Sequence, residues 1–473
     1  MAIATAFAQF DSIIHENMGS VVVDMRLPDV DDPAESYIAS MEDLGPGGRP
    51  DSGDGWEASR RIKLSRGGMI TGGEWGGNTI DALGKSDVLP IGQRATAKAP
   101  DPERVPLTQY AKLKVQLKRI LGNVVVNMQQ ILADLMGDDL EEVATGHMED
   151  AAFQVRKQRL AWFYGAGDAV IAEADETITI DGTAGGISLK IKAGTFNRFV
   201  KNQRYIFFTG ATFVPGTTTT RKGGVARCVN IDDNLGEPIF EMEAGEADAT
   251  LISGDKIVLA ETMTTGSAGV ALTPHGIENM FAETGEFYGI AAREDFPELV
   301  SYIEGDESAV IDPEPDRLAI VLDKLHNAGQ LPPDVLVSEK SLRSQYAYLE
   351  KAGYAVYNVP GYLPNPNGGV GAPTFSHDDV FVPWESSSYI RPGMIWGAAS
   401  GTVLRFQPGG ADNIRWWNAN GPGAGISGIF NPVNDGSRQT ELWQAPFETH
   451  TEYMAMKPKR HIRYVGLRAL RQT

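Results

Sequence analysis

The chain has 473 residues, with 42 Lys+Arg against 62 Asp+Glu for a formal charge of −20, and 42% hydrophobic residues. Those values exclude wholesale disorder and leave room for two to four domains of ~150 residues, while the acidic balance disfavours a dedicated nucleic-acid binder. The longest apolar runs, such as Val124-Val125-Val126, are far too short for a transmembrane helix, and the N-terminus lacks the basic and apolar regions of a secretory signal. One cysteine, Cys228, excludes an intrachain disulfide and a Cys-based metal site, as expected of a chain made in a reducing cytoplasm.

Residues 1–60 read as an arm. Short apolar pieces alternate with Pro/Asp/Gly punctuation such as Gly45-Pro-Gly-Gly-Arg-Pro50, and 12 acidic residues stand against 3 basic ones. Residues 61–118 read as a long two-stranded excursion. In its return arm Val105, Leu107, Ala111, Leu113, Val115 and Leu117 alternate with a face that carries Lys112, Lys114 and Lys118. A Gly-rich tip around Trp75 and a polar loop bearing Lys85, Arg94 and Lys98 lie between the arms. From 61 to 119 there are 11 basic and 5 acidic residues, so the excursion is cationic beside an anionic arm. A ribbon of this kind has little core of its own and needs a surface to lie on.

Residues 138–164 give the best helix pattern. Leu140, Val143, Ala144, His147, Met148, Ala151, Ala152 and Val155 recur at helical spacing, Asp138 and Glu141 form a capping box, and Gly165 and Gly167 are stops. Residues 168–272 hold short β-rich segments, including 177–180, 187–191, 205–208, 225–229 and 256–259, expected to form a small barrel or sandwich. Residues 305–400 switch to an α/β pattern: a helix near 317–329, a short buried strand at 335–337, and a helix after Ser338 ended by Gly353. Strands return from 380 to 473.

Catalytic motifs are weak. Gly84-Lys85-Ser86 lacks the upstream glycine of a phosphate loop, since that position is Thr79. Gly423-Ala-Gly425-Ile-Ser-Gly428 fits G-x-G-x-x-G but lies among Trp, Asn and Pro, where no strand-to-helix turn is expected. The seven histidines form no metal-binding spacing; His377-Asp378-Asp379 and Asp29/Asp31/Asp32 read as solvated turns. No catalytic residue, cofactor or metal is assigned, and the chain is expected not to be an enzyme.

The order of these segments, together with Leu331-Pro-Pro-Asp-Val-Leu-Val-Ser338, Ile390-Arg-Pro-Gly-Met-Ile-Trp396, Glu441-Leu-Trp443 and the basic end Arg460–Arg468, resembles the major capsid proteins of tailed bacteriophages. The resemblance implies an α+β, Hong Kong 97-like capsid fold. It divides into an N-terminal arm (1–60), an extended E-loop hairpin (61–118), a spine-helix part of a peripheral domain (119–167), a β-rich insertion (168–272), a peripheral-domain linker (273–304), an α/β apical domain (305–430) and C-terminal strands returning to the peripheral domain (431–473). It implies a virion protein, assembled in the host cytoplasm, that forms pentamers and hexamers in an icosahedral shell around double-stranded DNA. With some 60 Pro/Gly-rich residues before the hairpin, a fused scaffold is not expected; a separate scaffolding protein or self-assembly is expected instead, with a portal and a decoration protein as further partners and no membrane. The expected subunit contacts are Trp75, Lys85, Arg94, Lys98, Lys112, Lys114 and Lys118. The alternatives are an encapsulin-type compartment shell, a β-rich cytoplasmic hydrolase and a phage tail or adhesin protein.

Overall fold

A computed structural model describes residues 155 and 157–468, except 194–197, 215–219, 233–236, 264–270, 307–308, 328–330, 354–373, 378–379, 407–414, 417–430 and 436–437. Before them it describes 43–44, 49–51, 55–63, 78–80, 86–88 and 110–127. The fold is mixed and sheet-rich, with few helices among these residues.

One strand organises the first sheet. Arg438–Ala455 runs for 18 residues, roughly 60 Å at ~3.3 Å per residue. It pairs antiparallel with Lys118–Asn127 over ten positions, from Leu442↔Asn127 to Thr451↔Lys118. Beyond that it pairs with Val403–Phe406, and the short strand Asp43–Leu44 joins Arg405 and Phe406 in parallel. The segment 119–167, expected as the spine-helix part, therefore opens with a strand. The β-branched run Val124–Val126 suits a pleated ladder better than a helix.

The second sheet is the α/β unit. Its six strands run in the order Tyr302–Glu304, Ile462–Tyr464, Ile395–Ala398, Val335–Ser338, Val380–Ser386, Thr374–His377, with parallel and antiparallel neighbours mixed. The helices Pro315–Asn327 and Lys340–Gly353 cover it. Leu318, Val321, Leu322 and Leu325 from the first, and Leu342 and Tyr346 from the second, are buried with Leu336, Trp384 and Ile462. The closing strand Ile462–Tyr464 sits inside this sheet, whereas Val403–Phe406 joins the long strand. The stretches 305–430 and 431–473 thus each supply strands to both sheets.

The insertion closes on itself. Seven strand segments follow the order Ile187–Ser188, Glu237–Met242, Arg221–Asp232, Arg204–Phe208, Lys256–Leu259, Val170–Ala174, Ile191–Ala193. The two edge segments are neighbours in sequence. Leu189 N donates to Pro238 O on one side, and Lys190 O accepts from Asp175 N on the other. The segment 187–193 therefore stitches both edges together, and of the barrel and the sandwich the structure adopts the barrel. Its interior is aromatic: Phe199, Tyr205, Phe207 and Phe240 meet at ring distances of 5.5–5.8 Å. Cys228 is buried in the same cluster, and burial pushes its thiol up to about 11.

The main core lies where the helix end, the return from the barrel and the two sheets meet. Residues 157–163 are helical, and their end delivers Leu160, Phe163 and Tyr164 against Phe281, Trp396 and Tyr453. Residues 138–154 of the expected spine helix, including His147, lie outside the described residues. The return from the barrel, from 276 to 301, is largely irregular and has no ladder to donate to its carbonyls. Buried side chains do so instead. Arg293 donates to Met280 O, Ala282 O and Glu286 O, Arg463 to Glu278 O and Phe281 O, and Ser301 Oγ to Phe281 O. Satisfying buried carbonyls with guanidinium groups meets the requirement that buried polar groups be paired.

Candidate assembly surface

The cationic ribbon is built from two strands. Gly55–Lys63 pairs antiparallel with Tyr110–Gln116, from Glu57↔Gln116 to Lys63↔Tyr110. Period-two geometry separates the faces. Ile62, Leu113 and Val115 are buried, while Arg61, Lys112, Lys114 and Gln116 are exposed. The buried residues belong to the main core, and Lys114 N donates to Tyr288 O at 3.1 Å. The ribbon thus lies on a surface, as its small core requires: over the described stretch its apolar face is covered by the chain's own body.

The exposed face is different. The register sets Arg61 directly opposite Lys112, with Lys114 two residues further along the same face. Like charges facing each other across a ladder cost stability, by a fraction of a kcal/mol up to ~1 kcal/mol. Lys118 is half-buried where the next strand begins, and Arg119 beside it is exposed. Of the contact residues expected from sequence, Lys112, Lys114 and Lys118 lie on neighbouring strand segments. Trp75, Lys85, Arg94 and Lys98 lie outside the described residues.

Gly84, Lys85 and the 423–428 glycines lie outside the described residues, and His377 ends the strand Thr374–His377. Among the described residues no cluster of three or more His, Cys, Asp or Glu converges to hold a metal, and no helix is long and apolar enough to cross a membrane.

Sequence reasoning missed two polar centres. Arg198 is buried and joins three parts of the molecule. Its Nε and Nη2 donate to Tyr389 O, its Nη1 to Ile171 O and its Nη2 also to Tyr164 O. Burial lowers its pKa to about 10, so it remains charged at neutral pH. Asp255 is 1% exposed and accepts from Gly210 N at 3.1 Å, Ile252 N at 2.8 Å and Lys222 Nζ at 2.6 Å. Nothing in the local sequence distinguishes either residue from a solvated one, because most of their partners come from strands and loops far away in the chain.

No family model and no curated protein sequence matches the chain. Several solved structures are similar to it. The cyanophage A-1(L) capsid asymmetric unit is 10% identical, with a TM-score of 0.43 and 91% of each chain covered. The satellite phage P4 procapsid including its size-determination protein is 8% identical, with a TM-score of 0.37 over 95% of this chain and 100% of the other. The encapsulin of Synechococcus elongatus PCC 7942 is 9% identical, with a TM-score of 0.30 over 76% and 78%. The neighbours are thus phage capsid proteins and one encapsulin; similarity of this size does not assign the chain to a family.

Proposed function

We propose that the chain is the major capsid protein of a tailed bacteriophage, a structural subunit that assembles as pentamers and hexamers into an icosahedral shell enclosing double-stranded DNA. The observation that carries this reading is the ribbon. Its apolar side is anchored in the body, and its outer side presents Arg61, Lys112 and Lys114. A net cationic face of this kind complements an acidic surface on another copy. The chain supplies one: its first 60 residues hold 12 acidic and 3 basic side chains. Opposite charges on two parts of one chain let identical copies contact each other repeatedly, which a closed shell requires.

On this reading 61–118 is the extended loop that reaches a neighbour, and the helix ending at Phe163 is the spine. Trp75, Lys85, Arg94, Lys98, Lys112, Lys114 and Lys118 make contacts between subunits. A net charge of −20 keeps the wall from gripping packaged DNA. A separate scaffolding protein, a portal and a decoration protein complete the particle, and the subunit's role is structural.

The test reverses charge at Lys112, Lys114 and Lys118 together, to Glu. Purified parent and variant chains are compared by negative-stain microscopy and light scattering. The parent is expected to form closed shells or capsomer-sized rings, and the variant to stay dispersed and folded. Unchanged assembly of the triple variant would overturn the role given to the ribbon.

A further inference from the structure

The barrel is joined to the rest of the chain by two crossings that run side by side. The outgoing one is 165–170 and the returning one 271–276. They touch through backbone: Glu278 N donates to Gly165 O at 3.1 Å, and Ala169 N donates to the buried Thr273 Oγ1 at 3.1 Å. The outgoing crossing is held in unusual backbone geometry. Gly167 has φ of +74° and Ala169 has φ of +67°, a left-handed value that a residue with a Cβ rarely adopts. Asp168 lies between these two residues. It lines a cavity of about 60 Å³, enough for ordered water.

Every element packed around this cavity sends a charged group to it. Glu173 and Lys256 come from barrel strands and are ion-paired, and Arg198 comes from the barrel's 198–200 segment. Glu278 comes from the short helix Ile277–Met280 on the return, and Arg391, from the loop before Ile395–Ala398, stands 3.9 Å from Glu278. Three carboxylates thus face three cations, and Asp168 is the carboxylate on the strained crossing itself.

We propose that the two crossings form a hinge on which the barrel pivots against the rest of the chain, with the Asp168 carboxyl as a proton-operated latch. The latch has a definite sign. Burial, reinforced by the nearby Glu278 charge, pushes Asp168 up to about 6 from its ordinary 3.8. An opened junction admits water and returns the carboxyl to its ordinary range. The closed junction therefore holds the proton more tightly than the open one. Closure is favoured below the ordinary carboxylate range, and that advantage is lost as pH rises through about 6. The difference corresponds to roughly 100-fold in the opening equilibrium. This inference concerns the joint between barrel and body and holds whether or not the chain builds a shell.

Hydrogen exchange of the full chain tests it, read at the amides of Ala169, Val170 and Glu278 and corrected for the intrinsic pH dependence of exchange. Opening at these amides is expected to rise roughly 100-fold between pH ~4 and pH ~7.5, with the barrel-interior amides of Phe207 and Cys228 showing no matching rise. Asp168→Asn keeps an oxygen to accept from Val170 N and is expected to abolish the rise. Glu278→Gln keeps the latch but is expected to move its midpoint to lower pH. Opening that does not change with pH in the parent, or an Asp168→Asn profile that follows the parent, would overturn the latch. A midpoint unmoved in Glu278→Gln would overturn the arrangement of charges given to it.

Discussion

Asp255 shows how much one side chain can hold. It closes the turn at 252–255 through Ile252 N, binds the turn at 210 through Gly210 N, and pairs with Lys222 on the strand between them. Ala at this position leaves two backbone donors and an ammonium without their acceptor, and the apolar space gained is one carboxyl group. Breaking a buried charged contact costs roughly 3 kcal/mol or more. Asp255→Ala is therefore expected to lower the calorimetric unfolding temperature of the barrel by several degrees. A shift too small to measure would mean that Lys222 and the two turns are held by other contacts. Arg198 does comparable work at the junction, with carbonyl acceptors on three separate segments. Neither role was legible in the sequence. A charged residue in a Gly/Thr-rich stretch reads as a solvated one, and only the tertiary arrangement brings its partners to it.

At the scale of elements, legibility followed the length of the pattern. The alternation around Leu113 and Val115 was readable because it is strict and half-buried, and the structure separates the same two faces. The strand Lys256–Leu259 and the helices Pro315–Asn327 and Lys340–Gly353 fall within two residues of where their apolar spacing put them. The long strand Arg438–Ala455 was not readable as one element: Pro446 interrupts it, and its two halves serve different neighbours. The closure of the barrel was also hidden, since it depends on Leu189 and Lys190 reaching opposite edges through backbone atoms, which no side-chain pattern records. Packing between elements makes its own prediction at Gly276. A Cβ there would stand 2.1 Å from Gly165 O and 2.4 Å from Trp162 O, both backbone atoms at the end of the helix. Gly276→Ala must push the two crossings apart, a clash of the kind that costs at least 1–3 kcal/mol. Gly182→Ala, where a Cβ meets nothing within 4 Å, is the matched control. Thermal unfolding of both should show a clear loss for Gly276→Ala and a change near zero for Gly182→Ala; equal behaviour would contradict the close approach of the crossings.

For the whole molecule, two titrating groups, one buried and one half-buried, act in opposite directions, and their balance sets the acid response. His461 is fully buried, stacked 3.9 Å from the Phe281 ring and nearly parallel to Trp396. Thr402 Oγ1 donates to Ala399 O, so it accepts from the Nε2–H of His461, which places a ring proton on Nε2. Burial, with the Arg460 charge as a second cause, lowers its pKa to about 3 from 6.5. The unfolded chain binds a proton there below 6.5 that the folded chain refuses until about 3. Stability from this residue is therefore complete above pH 6.5 and falls across that window, by about 1.4 kcal/mol per pH unit. Asp168 runs the other way. Its raised pKa means that the folded chain binds the extra proton between 3.8 and about 6, so its contribution is complete in acid and is lost as pH rises. Between those two values the slopes cancel in the parent. Removing one should expose the other. Asp168→Asn is expected to lose stability steadily from pH ~6.5 to pH ~4 relative to the parent, whereas His461→Gln, which can keep a donor to Thr402, should lose less than the parent on acidification and gain relative to it. Urea unfolding of the three dispersed chains at unit pH steps measures this directly. Because all other carboxylates are common to the three, the differences isolate these two groups. Parallel pH profiles for all three chains would mean that neither residue is held away from water in the folded chain.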